Sequence, residues 1–454
     1  MPHDTAMPVL GQRRLSAGAA LRTVPRPGDA GSPGRARSLY IHIPFCFHKC
    51  HYCDFYSLVD TRDRQEPFVL RLERELAALA PWASGGPLDT IFVGGGTPSL
   101  LRVDLWERLL AALSGLFDLS AMGGGHGEFT VECNPETVTP ALMATLAGGG
   151  VNRVSIGAQS FDPRHLKTLE RWHDPENVGR AVELARSAGI ARQSVDLIFA
   201  IPGQTLDDWS ADLGRALALG TTHVSCYSLT YEPGTAMTAR LKRGEFPRAD
   251  EDLEVEMHRL TLARLRAAGL ERYEVSNYAR PGDEARHNLA YWRQEQWLAA
   301  GPAASAHVGG HRWKNIPRLD DYLGLDDGGF APITDHEPPD ARRALAERIM
   351  TGLRLAEGLD SAAILAAAAA LAPDEGATAR GVLAAQQCAT GDPHRCAEDG
   401  ERWHPSSAPA RLLAAVSTHA ARGHLQPSPG RWRLTDAGFL FADGIAADLM
   451  AALD

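Results

Sequence analysis

The alternation of short apolar segments with helical patterns constrains the fold of this chain more than any other feature. Between residues 39 and 229, six β-rich runs each precede a stretch with helical periodicity, which is typical of parallel βα units. After the first run, Leu72, Leu76 and Leu79 recur at helical spacing. Pro67 suits the first turn of that helix, because its missing N–H would be unpaired there anyway. The predicted strands cover residues 39–43, 90–93, 129–132, 153–156, 194–199 and 223–229.

Six βα units are too few to close an eight-stranded (β/α)8 barrel. We therefore predict an α/β fold built on an open, partial (β/α)6 barrel, whose open side leaves room for a large ligand. Chemistry in such folds gathers at the carboxyl ends of the strands, so the residues that follow each strand are the candidates for a functional site.

Three regions are predicted along the 454 residues. Residues 1–37, rich in Arg and Pro, are interpreted as a disordered tail. A mitochondrial presequence is the alternative, although five prolines interrupt any amphipathic helix. Residues 38–330 form the barrel domain, and residues 331–454 form a smaller C-terminal α/β domain. A mobile insertion is predicted at 372–408, where periodicity is weak.

Charge and cysteine content restrict the partners and the compartment. Lys and Arg number 46 against 56 Asp and Glu, a net charge of −10, which argues against nucleic acid as a partner. The seven cysteines do not form an even, spaced disulfide framework, so we expect a reducing, cytoplasmic setting. Cys388 and Cys396 lie in the predicted insertion with His394 and His404. Their spacing lacks a CxxC pair and favours free thiols over a zinc site.

A short loop after the first predicted strand carries Cys46, Cys50 and Cys53 in a CxxxCxxC pattern. Thiolates are the soft ligands that iron–sulfur clusters require, and loop spacing lets three of them converge on one face of a cube. A [4Fe-4S] cluster held by three cysteines keeps one iron open for an exchangeable ligand. The alternative is a zinc site completed by His48 or His51.

The residues around this loop resemble the radical S-adenosylmethionine (SAM) superfamily. Tyr40-Ile-His-Ile-Pro-Phe-Cys46 and Cys53-Asp-Phe55 are similar to the branch that contains oxygen-independent coproporphyrinogen III oxidase and its heme-chaperone relatives. The likeness spans residues 40–314 and resumes in the C-terminal domain. It implies a [4Fe-4S] cluster with SAM on its open iron. The SAM contacts that it implies are Tyr40, Tyr52, Gly95, Gly96, Thr97, Glu132, Gln159, Arg171 and Asp196.

Physical chemistry is consistent with those implied roles. Glycines in Gly94-Gly-Gly-Thr-Pro98 let the backbone approach a ligand closely. The guanidinium of Arg171 fits a carboxylate bidentately. Cys133 is interpreted as a small buried side chain and not as a ligand. Ala200 and Gln193 depart from the Gly and Asn common in the family, which affects the expected orientation of SAM but not the cluster.

Two features point to the heme-chaperone side of the branch. Phe55 stands where the oxidase has a fourth cysteine, and the segment His287-Asn-Leu-Ala-Tyr291-Trp292 resembles an HNxxYW motif. The resemblance implies heme as a ligand, with His287 as axial ligand and Tyr291 and Trp292 beside the porphyrin. A packed, hydrogen-bonded histidine is the alternative.

The function predicted on this basis is to bind heme and pass it to an acceptor protein, which could be a transient, membrane-associated partner. Classical enzymatic turnover is not required. Two alternatives stay open: an oxygen-independent coproporphyrinogen III oxidase, and a cluster-bearing regulatory module without a tetrapyrrole. The segment Leu434-Thr-Asp-Ala-Gly438 resembles a strand-to-helix turn of winged-helix type, and the acidic balance of the chain favours a lid or docking role over DNA binding. The acceptor and the oligomeric state are left open.

Overall fold

The computed structural model of the protein describes residues 15–324, 327–371, 407–428 and 430–454. The predicted insertion lies outside the described residues except for its last two positions. Cys388, His394, Cys396 and His404 therefore lie outside them as well.

A twelve-stranded sheet forms the centre of the fold. Its six middle strands are parallel and lie side by side in chain order, which confirms the six predicted βα units. They are β1 (Ser38–Ile43), β2 (Thr90–Gly95), β3 (Glu128–Cys133), β4 (Arg153–Gln159), β5 (Arg192–Phe199) and β6 (His223–Ser228).

Further strands extend both edges of this parallel centre, so the sheet is open, as predicted. On one side, β9 pairs with β1 in parallel, and β10, β11 and β12 continue in antiparallel fashion. On the other side, β8 and β7 follow β6 in antiparallel fashion. These strands are β7 (Glu271–Arg272), β8 (Asn277–Ala279), β9 (Trp297–Ala300), β10 (Ser305–Val308), β11 (His311–Asn315) and β12 (Ile333–Glu337).

Helices cover the sheet and bury their apolar faces against it. The first large one, α2, begins at Gln65 with Pro67 in its first turn, and its Leu72, Leu76 and Leu79 are fully buried, as the sequence predicts. The barrel helices are α1 (Ala17–Leu21), α2 (Gln65–Leu79), α3 (Val103–Leu116), α4 (Ser120–Gly123), α5 (Pro140–Gly148), α6 (Pro163–Thr168), α7 (Glu176–Ser187), α8 (Leu206–Ala218), α9 (Ala236–Lys242), α10 (Glu251–Ala267), α11 (Arg286–Trp292) and α12 (Leu319–Gly324).

The expected tail is not disordered in its described part, residues 15–37. Ala17, Ala20, Leu21 and Val24 are buried in the main hydrophobic core, and the backbone N–H of Ala17 donates to the carbonyl of Ala331 at 3.1 Å. The physical reason is their spacing, i, i+3, i+4 and i+7, which makes one apolar helical stripe. The sequence prediction weighed only the Arg and Pro content and missed that stripe.

A second hydrophobic cluster lies beyond the large sheet and includes Leu345, Ile349, Leu412 and Trp432. It is built from α13 (Ala341–Gly352), α14 (Ser361–Ala370), α15 (Ala408–Ala421) and α16 (Ala442–Ala451), with a sheet of β13 (Leu359–Asp360), β15 (Arg431–Leu434) and β14 (Leu425–Ser428). Because β12 still belongs to the large sheet, we place the domain boundary after Glu337 and not at residue 330. None of the helices among the described residues has the length and apolar character needed to cross a membrane.

Candidate metal centre and ligand cavity

The cysteine loop follows β1 and is held on both sides by backbone hydrogen bonds. The N–H of Cys46 donates to the carbonyl of Leu58 at 2.9 Å. His51 donates to the Leu169 carbonyl at 3.2 Å and accepts from the Met237 N–H at 2.8 Å. The loop is therefore anchored by the end of α6 and the start of α9. A fixed backbone is what three cysteines need if their thiols are to meet at one metal centre.

All three thiols of this loop line one cavity. The five cysteines that the structure describes are free. The hydroxyl of Thr97 donates to Cys46 Sγ at 3.5 Å, and a guanidinium nitrogen of Arg171 donates to Cys50 Sγ at 3.8 Å. Burial raises the pKa of Cys53 to about 11, so a metal must displace a proton there.

The cavity has a volume of about 1090 Å³ and opens at the carboxyl ends of the parallel strands. Eight of the nine predicted SAM residues line it together with the thiols: Tyr52, Gly95, Gly96, Thr97, Glu132, Gln159, Arg171 and Asp196. This is the edge at which an open α/β sheet places its ligands.

Glycines at the end of β2 let this strand lie close against β1 and the loop that follows it. Gly95 has φ of 107°, and a Cβ built on it would lie 2.5 Å from the ring of His42. A Cβ on Gly96 would lie 2.7 Å from the carbonyl oxygen of Phe45. The N–H of Gly96 donates to the Ile43 carbonyl at 2.8 Å. These glycines thus serve contact with the strand and loop that carry the cysteines, in addition to any contact with a ligand.

Two buried carboxyl groups face the cavity. Glu132 accepts from the N–H of Gly95 at 3.1 Å, and burial, followed by the charge of Asp196, raises the pKa of Glu132 to about 7. Asp196 accepts from the hydroxyls of Ser225 at 2.7 Å and Ser155 at 2.9 Å, and burial raises its pKa as well. Two carboxylates in a low-dielectric wall favour a cationic ligand, such as one that carries an ammonium or a sulfonium.

Arg171 brings a positive charge to the same cavity. One of its nitrogens donates to the Gly157 carbonyl at 3.0 Å, while its buried Nε–H has no hydrogen-bond partner among the described residues. A buried guanidinium with a free donor is a ready site for a carboxylate. The cavity therefore offers thiols for a metal, carboxylates for a cation and a guanidinium for an anion.

Four predicted site residues are not among those that line the cavity: Tyr40, His287, Tyr291 and Trp292. The Tyr40 hydroxyl lies 3.0 Å from Nδ1 of His42, and its ring stacks on Phe92 behind the cavity wall. Tyr291 and Trp292 belong to α11 and are also absent from the lining described for the cavity.

His287 requires a correction. Its ring is fully buried, its Nδ1 lies 2.8 Å from the Thr90 hydroxyl, and it stacks on Phe92 with the ring centres 5.3 Å apart. Burial lowers the pKa of His287 to about 3. The expectation that His287 binds heme does not fit this position, because the imidazole is packed in the core and does not border the cavity. The alternative, a packed and hydrogen-bonded histidine, matches the structure.

The sequence interpretation missed two groups of residues at the site. Ser155 and Ser225 donate hydrogen bonds to Asp196, and strand register places Asp196 directly opposite Ser225. An alternation of small polar residues across neighbouring strands could have signalled this pair. The second group comes from distant parts of the chain and has no local signal: Glu254, His258, Arg354, Phe439, Phe441 and Asp443.

Comparison with known proteins identifies the family. A profile of the Radical SAM superfamily matches residues 40–215. The heme chaperone HemW of Mycobacterium tuberculosis (strain CDC 1551 / Oshkosh) is 38% identical over 344 residues, which cover 75% of this chain and 87% of that relative. The chain belongs to the HemW family of radical SAM proteins. HemW of Bacillus subtilis (strain 168) is 34% identical over 324 residues, covering 71% of this chain and 84% of that relative.

A solved structure supports the fold of this HemW-family chain. Coproporphyrinogen III oxidase (HemN) from Escherichia coli, a radical SAM enzyme, superposes with a TM-score of 0.74 over 96% of this chain and 93% of that one, at 21% identity. Members of the superfamily use a [4Fe-4S] cluster and SAM, and the cavity fits both: it is lined by three free cysteines of one loop, by two buried carboxyls and by Arg171, whose Nε–H has no hydrogen-bond partner among the described residues.

Proposed function

We propose that the chain is a heme chaperone, which binds heme and delivers it to an acceptor protein, with its cluster and SAM governing that task. The proposal is supported by the relatives from M. tuberculosis and B. subtilis, which are named heme chaperone HemW and whose length the chain covers to 87% and 84%. Cys46, Cys50 and Cys53 would hold the cluster. Glu132, Asp196 and Arg171 would hold the charged groups of SAM. When bound, the cluster and SAM together supply one-electron chemistry at the sulfonium.

The observation that carries the heme part is the size of the cavity. A pocket for one drug-sized ligand measures roughly 300–1,000 Å³, whereas this cavity measures about 1090 Å³. Besides the thiols and the SAM residues, the lining includes Tyr227, His258, Arg354, Phe439 and Phe441, which we call the far wall. We propose that a second, flat ligand lies against this wall.

The far wall has the chemistry that a heme needs. His258 is half-buried, and burial, followed by the charge of Arg272, lowers its pKa to about 4. Its imidazole is therefore neutral near pH 7, the form that binds iron. Tyr227 and Phe441 expose 40% and 52% of their surface although they line a cavity, which leaves aromatic area for a porphyrin. Arg354 provides a guanidinium for a propionate.

Heme titration tests the function and its location separately. We expect wild-type protein to produce a Soret band with saturable hemin binding, and His258→Ala to weaken binding at least tenfold. His126→Ala, at an exposed histidine outside the cavity, should bind as wild type does. Absence of saturable binding by wild-type protein would remove the heme function. Unchanged binding by His258→Ala would leave that function in place but overturn the location.

The oxidase interpretation can be tested in the same preparation, by anaerobic incubation with coproporphyrinogen III, SAM and a reductant. An oxidase would form protoporphyrinogen, whereas we expect none. The similarity to HemN supports the fold alone, at 21% identity, and Phe55 stands where the oxidase carries its fourth cysteine. Formation of protoporphyrinogen would replace the chaperone proposal.

The proposal also covers the setting of heme transfer. We place the protein in the cytoplasm, because free thiols that must bind iron need reducing surroundings. Its contact with the acceptor would be transient. The acceptor itself could be associated with a membrane in this proposal. Cosedimentation of heme-loaded protein with membranes that contain the acceptor, compared with heme-free protein, measures that contact. Equal cosedimentation of both forms would contradict a heme-dependent delivery step.

A further inference from the structure

A histidine and two aspartates from neighbouring βα units meet where α6 and α8 begin. Asp162 precedes α6, His165 lies within α6, and Asp208 lies in the first turn of α8. One ligand atom of each residue, a carboxylate oxygen or an imidazole nitrogen, lies within 4.8 Å of the other two. None of the three residues lines the large cavity. We call them the Asp–His–Asp cluster.

The histidine of this cluster is buried and has an unpaired nitrogen. His165 exposes only 3% of its surface, and its Nε2 has no hydrogen-bond partner among the described residues. The same nitrogen lies 3.4 Å from Oδ2 of Asp208, so it faces the cluster. Buried polar atoms in folded proteins nearly always have a partner, because an unpaired one costs free energy. An ion bonded to both Nε2 and the carboxylate would supply that partner.

The spacing of the ligand atoms suits a zinc-type ion. Zinc bonds to imidazole nitrogen and carboxylate oxygen measure about 2.0–2.2 Å, so two ligands of a tetrahedral site lie roughly 3.4 Å apart. Nε2 of His165 and Oδ2 of Asp208 already have this separation. A rotation of the Asp162 carboxylate would bring the third ligand into place. The imidazole favours zinc over magnesium or calcium, which prefer oxygen ligands.

Hydrogen bonds fix the carboxylates and the backbone around the cluster. Oδ1 of Asp162 accepts from the backbone N–H two residues further on, at 2.7 Å. Oδ2 of Asp208 accepts from the N–H of Thr205 at 3.0 Å and from its hydroxyl at 2.8 Å. Asp212 of α8 accepts from the N–H of Phe161 at 2.7 Å, which holds the segment before α6 against α8. Carboxylates that bind metals have such partners, which orient them.

Arg164 now neutralises the two aspartates. Its guanidinium donates to Asp162 at 2.6 Å and to Asp208 at 2.8 Å. The side chain of Arg164 is 70% exposed, against 24% for Asp162 and 19% for Asp208. Because exposed ion pairs contribute little free energy, Arg164 can turn into solvent at low cost. The two carboxylates then balance the charge of a divalent cation.

We propose that Asp162, His165 and Asp208 bind a zinc-type divalent cation, which displaces Arg164 and joins α6 to α8. Water would complete the coordination. Binding forms three metal–ligand bonds and transfers neither an electron nor a chemical group. The site is separate from the cysteine loop, and the proposal depends neither on SAM nor on heme binding.

Zinc binding by the full, cluster-loaded chain tests the proposal. Anaerobically reconstituted protein is dialysed to equilibrium against Zn²⁺ in an excess of Mg²⁺, and zinc and iron are counted in the same samples. His165→Gln removes the nitrogen ligand, and Asp162→Asn removes a charge but keeps a residue that caps α6. His419→Gln is the matched control, because His419 is also buried and its Nε2 lies 3.0 Å from a carboxylate oxygen of Asp448. No second carboxylate completes a metal-binding group there among the described residues.

We expect wild type and His419→Gln to bind about one zinc ion per chain more than His165→Gln, whose affinity at this site should fall about a hundredfold. Asp162→Asn should weaken binding as well. Arg164→Ala should bind zinc about fivefold more tightly, because the competing positive charge is gone.

Equal zinc content in wild type and His165→Gln would overturn the proposal. So would binding that is no tighter in Arg164→Ala, or that is lost in excess Mg²⁺, which would indicate a site of carboxylates alone. Iron content equal to that of wild type shows that each variant is folded and that zinc has not entered the cluster. Hemin titration of His165→Gln should match wild type, which separates this result from any failure of the heme proposal.

Discussion

The guanidinium of Arg171 lies 3.8 Å from the sulfur of Cys50 and also donates to the Gly157 carbonyl at 3.0 Å. One side chain thus touches both the thiol wall and the backbone beside Gln159, where SAM is expected. Its unpaired Nε–H leaves a donor for a carboxylate. Arg171 therefore links the metal centre to the organic ligand.

Replacement of Arg171 by lysine should separate these two roles. Arg171→Lys keeps the charge near Cys50 but loses the planar fork that fits a carboxylate. We expect an unchanged iron content and a SAM affinity lowered about tenfold, or about 1.4 kcal/mol, measured by anaerobic calorimetry. Arg164→Lys, at an arginine paired with Asp162 on the surface, is the matched control. Wild-type SAM affinity in Arg171→Lys would contradict the assigned contact.

SAM binding should strengthen as the pH rises through about 7. The pKa of Glu132 is raised to about 7 by burial and by Asp196, so the carboxyl is neutral below that pH and charged above it. A charged carboxylate attracts the ammonium and sulfonium of SAM. Below pH 7 the carboxyl must first lose its proton, so SAM binds more weakly there. Glu132→Gln removes the titrating group and should flatten the SAM affinity between pH 6 and 8. An equally steep pH profile in Glu132→Gln would assign the dependence to another group.

Packing at the glycine turn predicts a large effect of one methyl group. In Gly96→Ala the new Cβ would lie 2.7 Å from the Phe45 carbonyl oxygen, a backbone atom that cannot swing away. We expect a loss of about 3 kcal/mol in the free energy of unfolding, measured by urea titration, and poorer cluster retention. Gly115→Ala in α3 meets no atom within 4 Å and should stabilise the helix by about 0.5–1 kcal/mol. Similar stabilities for both variants would refute the close approach.

Buried histidines should make the fold sensitive to mild acid. Burial lowers the pKa of His42 to about 4 and of His287 to about 3. Because these folded-state values lie below the unfolded value near 6.5, the stability that each contributes is fully present above pH 6.5 and is lost as the pH falls toward the folded-state pKa. Between pH 7 and pH 5, the free energy of unfolding should fall by about 2 kcal/mol for each of these two histidines. Urea unfolding of cluster-free wild type and His287→Gln at both pH values isolates this contribution, because buried carboxyls such as Glu132 titrate in both proteins. Wild type should lose about 2 kcal/mol more than the variant, and equal losses would contradict the prediction.

Local patterns predicted more of this protein than long-range ones. The six parallel strands follow from alternating periodicity, and the three cysteines line one cavity because their spacing confines them to one loop. The family resemblance named Glu132, Gln159 and Asp196, and all three, one each from the parallel strands β3, β4 and β5, line the cavity.

The errors at the site share one physical cause, which is contact between distant residues. His287 is packed against Phe92 of β2, and the sequence near His287 does not reveal that neighbour. The far wall joins His258 of α10 to Phe441 near the C-terminus, and no periodicity links them. The same cause hid the antiparallel extensions of the sheet, whose short strands depend on their neighbours for pairing.

Iron and sulfide analysis after anaerobic reconstitution tests the central claim, that three cysteines hold one [4Fe-4S] cluster, most directly. We predict about four iron and four sulfide per chain for wild type, a loss of both in Cys46→Ser, Cys50→Ser and Cys53→Ser, and wild-type content in Cys133→Ser, whose buried thiol donates to the Val131 carbonyl. SAM should change the spectrum of the reduced cluster. Uptake of zinc without iron and sulfide, or an equal loss of cluster in Cys133→Ser, would contradict the account.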